Sequence, residues 1–307
     1  MKPHLYRTVL GVALCFLACE KAAPKGDSPP ASHRIVVMAP AAAEILDALG
    51  ATSQLVGVGD FVQWPPEAAG LPKVGAYHAP NVELVVSLGV DLLLTTSMQA
   101  GGPTHAKLRE LGVQVVTLET NTYEGVLSSL RKVGALLGKD EMAARVETRI
   151  RSQLEETRKR VINAPRRRVL FVVGREPLYA AGPGSHVDEM IRTVGGENVV
   201  AEGVSGYQLL SMEIALESRP DVIVDTSDNR PGAIRGRALG FWGQFPFLPA
   251  VKSGRVYYVE PVRLVIPGMR LPEMTALLGK IVQPEIFGEA DPSEFLPFDL
   301  SGGNGGR

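Results

Sequence analysis

The chain has 307 residues, 45% hydrophobic and 21% charged, the balance of a globular protein long enough for two domains. Its formal net charge is -1 and its densest basic run is Arg166 to Arg168, so it offers no electrostatic grip on nucleic acid and none is expected as a partner. The two cysteines, Cys15 and Cys19, both lie near the N-terminus, so no disulfide framework is expected.

In chain order the first feature is an address label. Lys2 and Arg7 precede an apolar run from Val9 to Ala18, about ten residues, which suits a signal-peptide h-region and is too short to span a bilayer. Residues 1–18 are expected to be cleaved. Phe16-Leu17-Ala18-Cys19 resembles a bacterial lipobox, in which a small residue precedes the Cys that receives lipid, although Phe16 stands where Leu is more usual. The alternative is cleavage after a small residue with no lipid added. Residues 19–33, rich in Pro, Ala, Ser and Lys, read as a disordered tether. The expected location is the periplasm or the outer side of the cytoplasmic membrane, with a lipid on Cys19 as the anchor.

Arg34 to Met38 is a short β-type run, and Pro40 leads into a helical period of Ile45, Leu46 and Leu49 closed by Gly50. Leu55 to Val58 is a second strand, followed by a Pro-rich loop, Phe61 to Pro72, that contains Trp64. Asn81 opens a helix with Leu84, Val85 and Leu88 on one face, Asp91 to Thr95 is a buried-looking strand, and His105 to Leu111 a helix. Gln114 to Leu118 is a strand and Tyr123 to Leu137 a helix. Strands alternating with helices predict an α/β lobe with a mostly parallel sheet over residues 34–138.

Lys139 to Asn163 contains neither Gly nor Pro and reads as one helix. Met142, Val146, Ile150 and Leu154 recur every four residues, and Val161 and Ile162 close the same stripe. Glu147/Arg151, Arg151/Glu155 and Glu155/Lys159 stand at i,i+4 spacing. About 24 residues at 1.5 Å each span about 36 Å. So narrow a stripe suits a helix lying across a surface or between two bodies, and residues 139–165 are read as a linking helix.

The pattern then restarts over residues 166–288, with strands at Arg168 to Val173, Asp221 to Asp225 and Arg255 to Val259 and a helix at Ser185 to Val194. Residues 289–307 read as a disordered tail. Two segments, 81–97 and 211–227, can be laid over each other. In each, an N-cap residue (Asn81, Ser211) precedes a Glu by two positions (Glu83, Glu213), an Asp (Asp91, Asp221) follows eight residues later, and Thr-Ser closes the segment. Two such units predict two similar lobes, with the long helix between them. A first-turn carboxylate is favourable by about 0.3–1 kcal/mol through the helix dipole. That explains either glutamate alone; its recurrence puts one exposed acid on each lobe, a pair suited to a basic, two-fold partner.

Aromatics make up only 6% of the chain, and Trp64, Tyr77 and Tyr207 all fall in loops where α/β lobes present ligands. They can plug local gaps, or they can wall a cleft for a large planar ligand. No Gly-x-Ser-x-Gly elbow, Walker lysine, Gly-x-Gly-x-x-Gly or His-Glu-x-x-His is present, so an enzyme is not expected, and a lipid-anchored enzyme using the α/β cleft is the lesser alternative. The loop 182–186 can bind an anion with free N–H groups, or simply start a helix. The scattered histidines make no metal site. Arg175, Arg230, Arg235, Arg237, Arg263 and Arg270 give the second lobe a basic lean that can meet carboxylates or propionates.

With the repeat in view, the chain resembles substrate-binding proteins of ABC importers, the helical-backbone class serving vitamin B12, ferric siderophores and haem. The resemblance runs from Arg34 to about Gly288 and rests on Ala43-Glu-Ile-Leu-Asp-Ala-Leu-Gly50, Trp64-Pro-Pro66, Lys73-Val-Gly75, Asn81-Val-Glu83, Gly195-Gly-Glu-Asn198, Ser211-Met-Glu213 and Pro284-Glu-Ile-Phe287. It implies a fold of two α/β lobes joined by one long helix, and an extracytoplasmic lipoprotein, expected as a monomer, that delivers its ligand to an ABC permease with its ATPase. It implies that Glu83 and Glu213 dock on the permease and that Trp64, Tyr77 and Tyr207 wall the ligand, with Arg175 and Arg263 facing ligand carboxylates. No permanent cofactor is implied; the transported ligand is a corrinoid first, a ferric siderophore next, or haem, in which case Tyr77 ligates the iron. Met269-Arg270 departs from the Pro-Arg of many relatives.

Overall fold

The first half of the folded chain runs β1 (Ile35–Val37), α1 (Pro40–Ala48), β2 (Leu55–Val58), β3 (Gly75–Ala76), β4 (Ala79–Pro80), α2 (Val82–Ser87), β5 (Leu92–Thr96), α3 (Pro103–Glu110), β6 (Gln114–Leu118) and α4 (Tyr123–Leu136). The long helix α5 (Asp140–Arg160) follows. Next come β7 (Arg167–Arg175), β8 (Leu178–Ala181), α6 (His186–Thr193), β9 (Gly196–Asn198), β10 (Tyr207–Leu209), α7 (Met212–Glu217) and β11 (Val222–Asp225). The chain ends through α8 (Pro249–Lys252), β12 (Val256–Tyr258), α9 (Pro261–Leu264), α10 (Leu271–Val282) and α11 (Pro284–Phe287). This computed structural model describes residues 32–76, 78–96, 102–200, 206–227, 240–291 and 294, and of residues 262 and 263 the backbone alone. The signal peptide, Cys19, Tyr77 and nearly all of the tail lie outside the described residues.

The first sheet has the order β2-β1-β5-β6 and is parallel throughout. Ile35, Val36 and Val37 of β1 and Leu92, Leu93 and Leu94 of β5 are wholly buried, because helices cover both faces of such a sheet. The second sheet has the order β10-β8-β7-β11-β12, with β9 also on β7. Its β7, β9, β11 and β12 pairs are parallel, whereas β8 runs antiparallel to both β7 and β10. β8, β9 and β10 are additions to the sequence reading. Four residues or fewer each, they are too short to show a period of two.

The repeat is structural. β5 lies between β1 and β6, and β11 between β7 and β12. Asn81 and Ser211 cap α2 and α7, their side chains accepting from the Leu84 and Ile214 amides at 3.0 and 3.1 Å. The recurring aspartates also share one task. Asp91 accepts from the Arg34 amide at 3.3 Å and Asp221 from the Arg168 amide at 2.9 Å, so each ties the start of its own strand to that of the neighbouring one.

The long helix buries Ala143, Val146, Ile150 and Leu154. Met142, expected in the stripe, is 36% exposed, and Ile162, beyond the helix end, is 80% exposed. The buried face turns toward Ala143 because α4 comes close there: a Cβ on Gly134 would stand 2.7 Å from that of Ala143, so only glycine fits. Of the expected ion pairs, Glu147–Arg151 forms at 2.8 Å. Arg151 then turns to Glu124 at 2.6 Å rather than to Glu155, and Glu155 meets Arg158 at 3.7 Å.

One hydrophobic core runs through both lobes. It holds Ile35 and Leu92 of the first sheet, Ile150 and Leu154 of α5, Phe171 and Val224 of the second sheet, and Leu278 and Ile281 of α10. Polar ties cross at the same level. The Tyr123 amide donates to Glu189 at 2.5 Å, and the Tyr123 hydroxyl lies 2.7 Å from the Thr275 hydroxyl.

Candidate functional site

In open α/β sheets, ligands collect beyond the carboxyl ends of the strands. Beyond β2 the chain leaves the core, and two aromatic rings stand in solvent: Phe61 is 61% exposed and Trp64 40%. Their loop is tied down by Lys73, whose Nζ donates to the Val62 carbonyl at 2.6 Å. Trp64 walls a hollow of 310 Å³ together with Val62, Gln63, Pro66, Ala69 and Lys73. The sequence reading passed over Phe61, whose only signal is its place three residues past the end of β2.

Tyr77 falls between β3 and β4, and its position lies outside the described residues. Tyr207 opens β10 opposite Ala181, and its ring rests partly buried on the shared core. Its hydroxyl is buried with no partner among the described residues, and burial raises its pKa above the ordinary phenol value. It is therefore a neutral hydroxyl in need of a hydrogen-bond partner.

Arg175, at the carboxyl end of β7, is largely committed to the protein itself. Its Nε donates to Ser227 Oγ at 2.6 Å and stands 3.6 Å from Asp225 Oδ2, while its guanidinium lies over the Phe241 ring at 5.1 Å. Asp225 is wholly buried and also accepts from Trp242 Nε1 at 2.9 Å and from the Ser227 hydroxyl at 2.6 Å. So many bonds make Arg175 a fixed positive edge rather than a mobile arm. Arg263 sits in α9, and its side chain lies outside the described residues.

The sequence reading did not foresee the ion pair between Glu44 of α1 and Arg270 just before α10. Glu44 is 3% exposed, and its Oε1 accepts from Arg270 Nη2 at 2.6 Å and Nε at 2.8 Å. Its Oε2 accepts from the Met269 amide at 2.9 Å. Burial raises the pKa of Glu44, against the pull of Arg270. A Cβ on Gly268 would stand 2.1 Å from Glu44 Oε2, so the approach needs glycine there. The available signal was a lone charge inside the apolar run from Ala41 to Leu46, every residue of which is buried.

Glu83 and Glu213 occupy the first turns of α2 and α7, and both are exposed. Among the described residues no hydrogen bond or ion pair engages either carboxylate, so the helix dipole is their only local use. The loop 182–186 is a helix start: the Ser185 hydroxyl accepts from the Asp188 amide at 3.1 Å and donates to the Gly182 carbonyl at 2.7 Å. His186, buried, places Nε2 3.3 Å from the Leu264 carbonyl, and burial pushes its pKa down to about 4. His105 is buried with both ring nitrogens unpartnered among the described residues, and burial lowers its pKa too. No group of three or more His, Cys, Asp or Glu among the described residues is placed to hold a metal ion.

Residues 35–262 match the family described as periplasmic binding protein. An uncharacterized ABC transporter substrate-binding lipoprotein, YvrC of Bacillus subtilis strain 168, is 29% identical over 83% of the chain and 82% of its own length. The vitamin B12-binding protein of Salmonella typhimurium is 26% identical over 72% of the chain and 81% of its own. The crystal structure of a periplasmic heme binding protein from Pseudomonas aeruginosa superposes with a TM-score of 0.72 at 28% identity, covering 85% of this chain and 94% of that one.

Proposed function

The chain belongs to the periplasmic binding protein family, and on that premise we propose that it captures a metal-chelate ligand with a broad flat face and hands it to an ABC permease. The carrying observation is the pair of solvent-standing rings, Phe61 and Trp64, on a loop pinned by Lys73 at the carboxyl edge of the first sheet. Exposed aromatics cost solvation unless a ligand covers them, and a tetrapyrrole face gives the area to do so. The Tyr207 hydroxyl, buried and unpartnered among the described residues, supports a ligand with a polar rim. A corrinoid is the first ligand, since several relatives are named vitamin B12-binding proteins. Haem is the second reading, favoured by the solved structure named as a heme-binding protein.

Glu83 and Glu213 are the docking acids in this reading, meeting basic residues of the permease. A lipid on Cys19 would keep the protein near that partner, acting as a monomer. The test is a titration of the mature chain with cyanocobalamin, haemin and ferrichrome, read by visible absorption, tryptophan emission and melting temperature. One of them is expected to quench Trp64, the exposed one of the two tryptophans, with a Kd of about 1 μM or below. Unchanged emission and melting with all three would overturn the reading.

A further inference from the structure

Strand β11 ends on an acid. Asp225 is wholly buried, and in the first-lobe repeat Thr95 takes its place, so the acid is not a requirement of the shared fold. Its Oδ1 accepts from the Ser227 amide at 2.9 Å and the Ser227 hydroxyl at 2.6 Å, and its Oδ2 from Trp242 Nε1 at 2.9 Å. Trp242 is itself wholly buried, so the carboxylate is fixed in place. Burying a charge is costly without a counter-charge, and Arg175 supplies one, with Nε 3.6 Å from Asp225 Oδ2.

The Arg175 guanidinium is held in turn, over the Phe241 ring at 5.1 Å and bonded through Nε to Ser227 at 2.6 Å. Its side chain is 19% exposed at the carboxyl end of β7, the end where ligands collect. A guanidinium carries five N–H donors, so a ligand acceptor can share it with partners inside the protein. What such a ligand meets is a dipole rather than a bare cation, with donors in front and an equal negative charge fixed behind. A carbonyl oxygen gains from the donors and loses little hydration. A carboxylate sheds a far stronger hydration shell, and a pair with no net charge offsets little of that loss.

Arg270, the other arginine of the basic lean with a described side chain, is likewise cancelled, by Glu44 at 2.6 Å. Lys73 lines the Trp64 hollow but is exposed, where solvent screens its charge. Arg230, Arg235, Arg237 and the Arg263 side chain lie outside the described residues, and their charge enters the measurement below together with that of Arg175. Resting on the transport reading, we propose that Asp225 is a positioning residue that sets the charge preference of the site. By holding and cancelling Arg175, it selects a ligand rimmed with neutral carbonyl acceptors, such as amides, over one rimmed with carboxylates. A corrinoid carries the first kind of rim and haem the second.

The experiment compares ligands of one shape and two charges on the mature chain, by tryptophan emission and visible absorption. Cyanocobalamin is set against its monocarboxylic acid, in which one peripheral amide is hydrolysed, and haemin bisamide, in which both propionates are amides, against haemin. For whichever framework binds more tightly, the amide form is expected to bind about threefold better than the acid form, or more. Asp225→Asn should move that ratio about fivefold toward the acid form, and Arg175→Gln about fivefold away from it. Misfolding would weaken both forms alike and leave the ratio, and the parent comparison needs no variant. Equal or tighter binding of the acid form by the parent chain, or a ratio that both variants leave within about twofold of the parent's, would overturn the inference while the transport reading stands. Binding of none of these ligands overturns the transport reading and the inference with it.

Discussion

Removing Arg270 leaves the buried Glu44 carboxylate uncompensated, and the expected cost is about 3–5 kcal/mol. Arg270→Met alone should lower unfolding stability by that amount in urea and Glu44→Leu by less, because the Arg270 side chain is 25% exposed, while the double variant should recover most of the Arg270→Met loss. Single variants within about 1 kcal/mol of the parent would show that the pair is not holding the lobes together. His186 gives a different signature. Its folded pKa of about 4 lies below the value of about 6.5 expected unfolded, so the unfolded chain takes up the proton first. Stability is therefore full above pH 6.5 and falls as pH drops from there toward 4, by on the order of 3 kcal/mol from this group. His186→Gln should flatten that part of a melting-temperature profile relative to the parent; an unchanged slope would remove His186 as the cause. The sequence marked His186 only as part of a loop that could bind an anion and Glu44 only as part of a helical motif, and the roles of both as buried groups were not legible. Glu44 sits in an apolar run whose helical period hides it, and its partner lies 226 residues away in sequence.

Among the elements, the parts that read well were those whose signal is local. Asn81 and Ser211 announced helix starts because a cap needs only its own turn, and the long helix was visible from the absence of Gly and Pro. Val146, Ile150, Leu154 and Val161 of its expected stripe are buried, whereas at the start of the stripe Ala143 takes the place of Met142, since the close approach of Gly134 to Ala143 is a tertiary fact. The mixed character of the second sheet was illegible for the same kind of reason: β8 and β10 are defined by their partners, not by a pattern. The corrected face of α5 can be tested. Ile150→Ala should cost about 2–5 kcal/mol, whereas Ile162→Ser should stay within about 0.5 kcal/mol. Comparable losses at both positions in denaturant unfolding would restore the wider stripe.

For the whole molecule, the shared core matters more than the linking helix by itself. Residues of α1, α4, α5, α6 and α10 fill one continuous interior, and Glu44–Arg270, Tyr123–Thr275 and Tyr123–Glu189 cross between the lobes at its level. Opening such an interface would expose apolar surface at about 25 cal/mol per Å², so a wide hinge motion is disfavoured. A binding protein built this way presents Glu83 and Glu213 at a fixed spacing whether or not its ligand is bound. The most direct test is a spin-label distance measurement between Ser87→Cys and Glu217→Cys, the matching positions of α2 and α7, with Cys19 replaced by Ser. A single narrow distance distribution is expected, unchanged after saturation with whichever of cyanocobalamin, haemin or ferrichrome binds. A bimodal distribution, or a shift of more than about 5 Å on loading, would contradict the rigid two-lobed body.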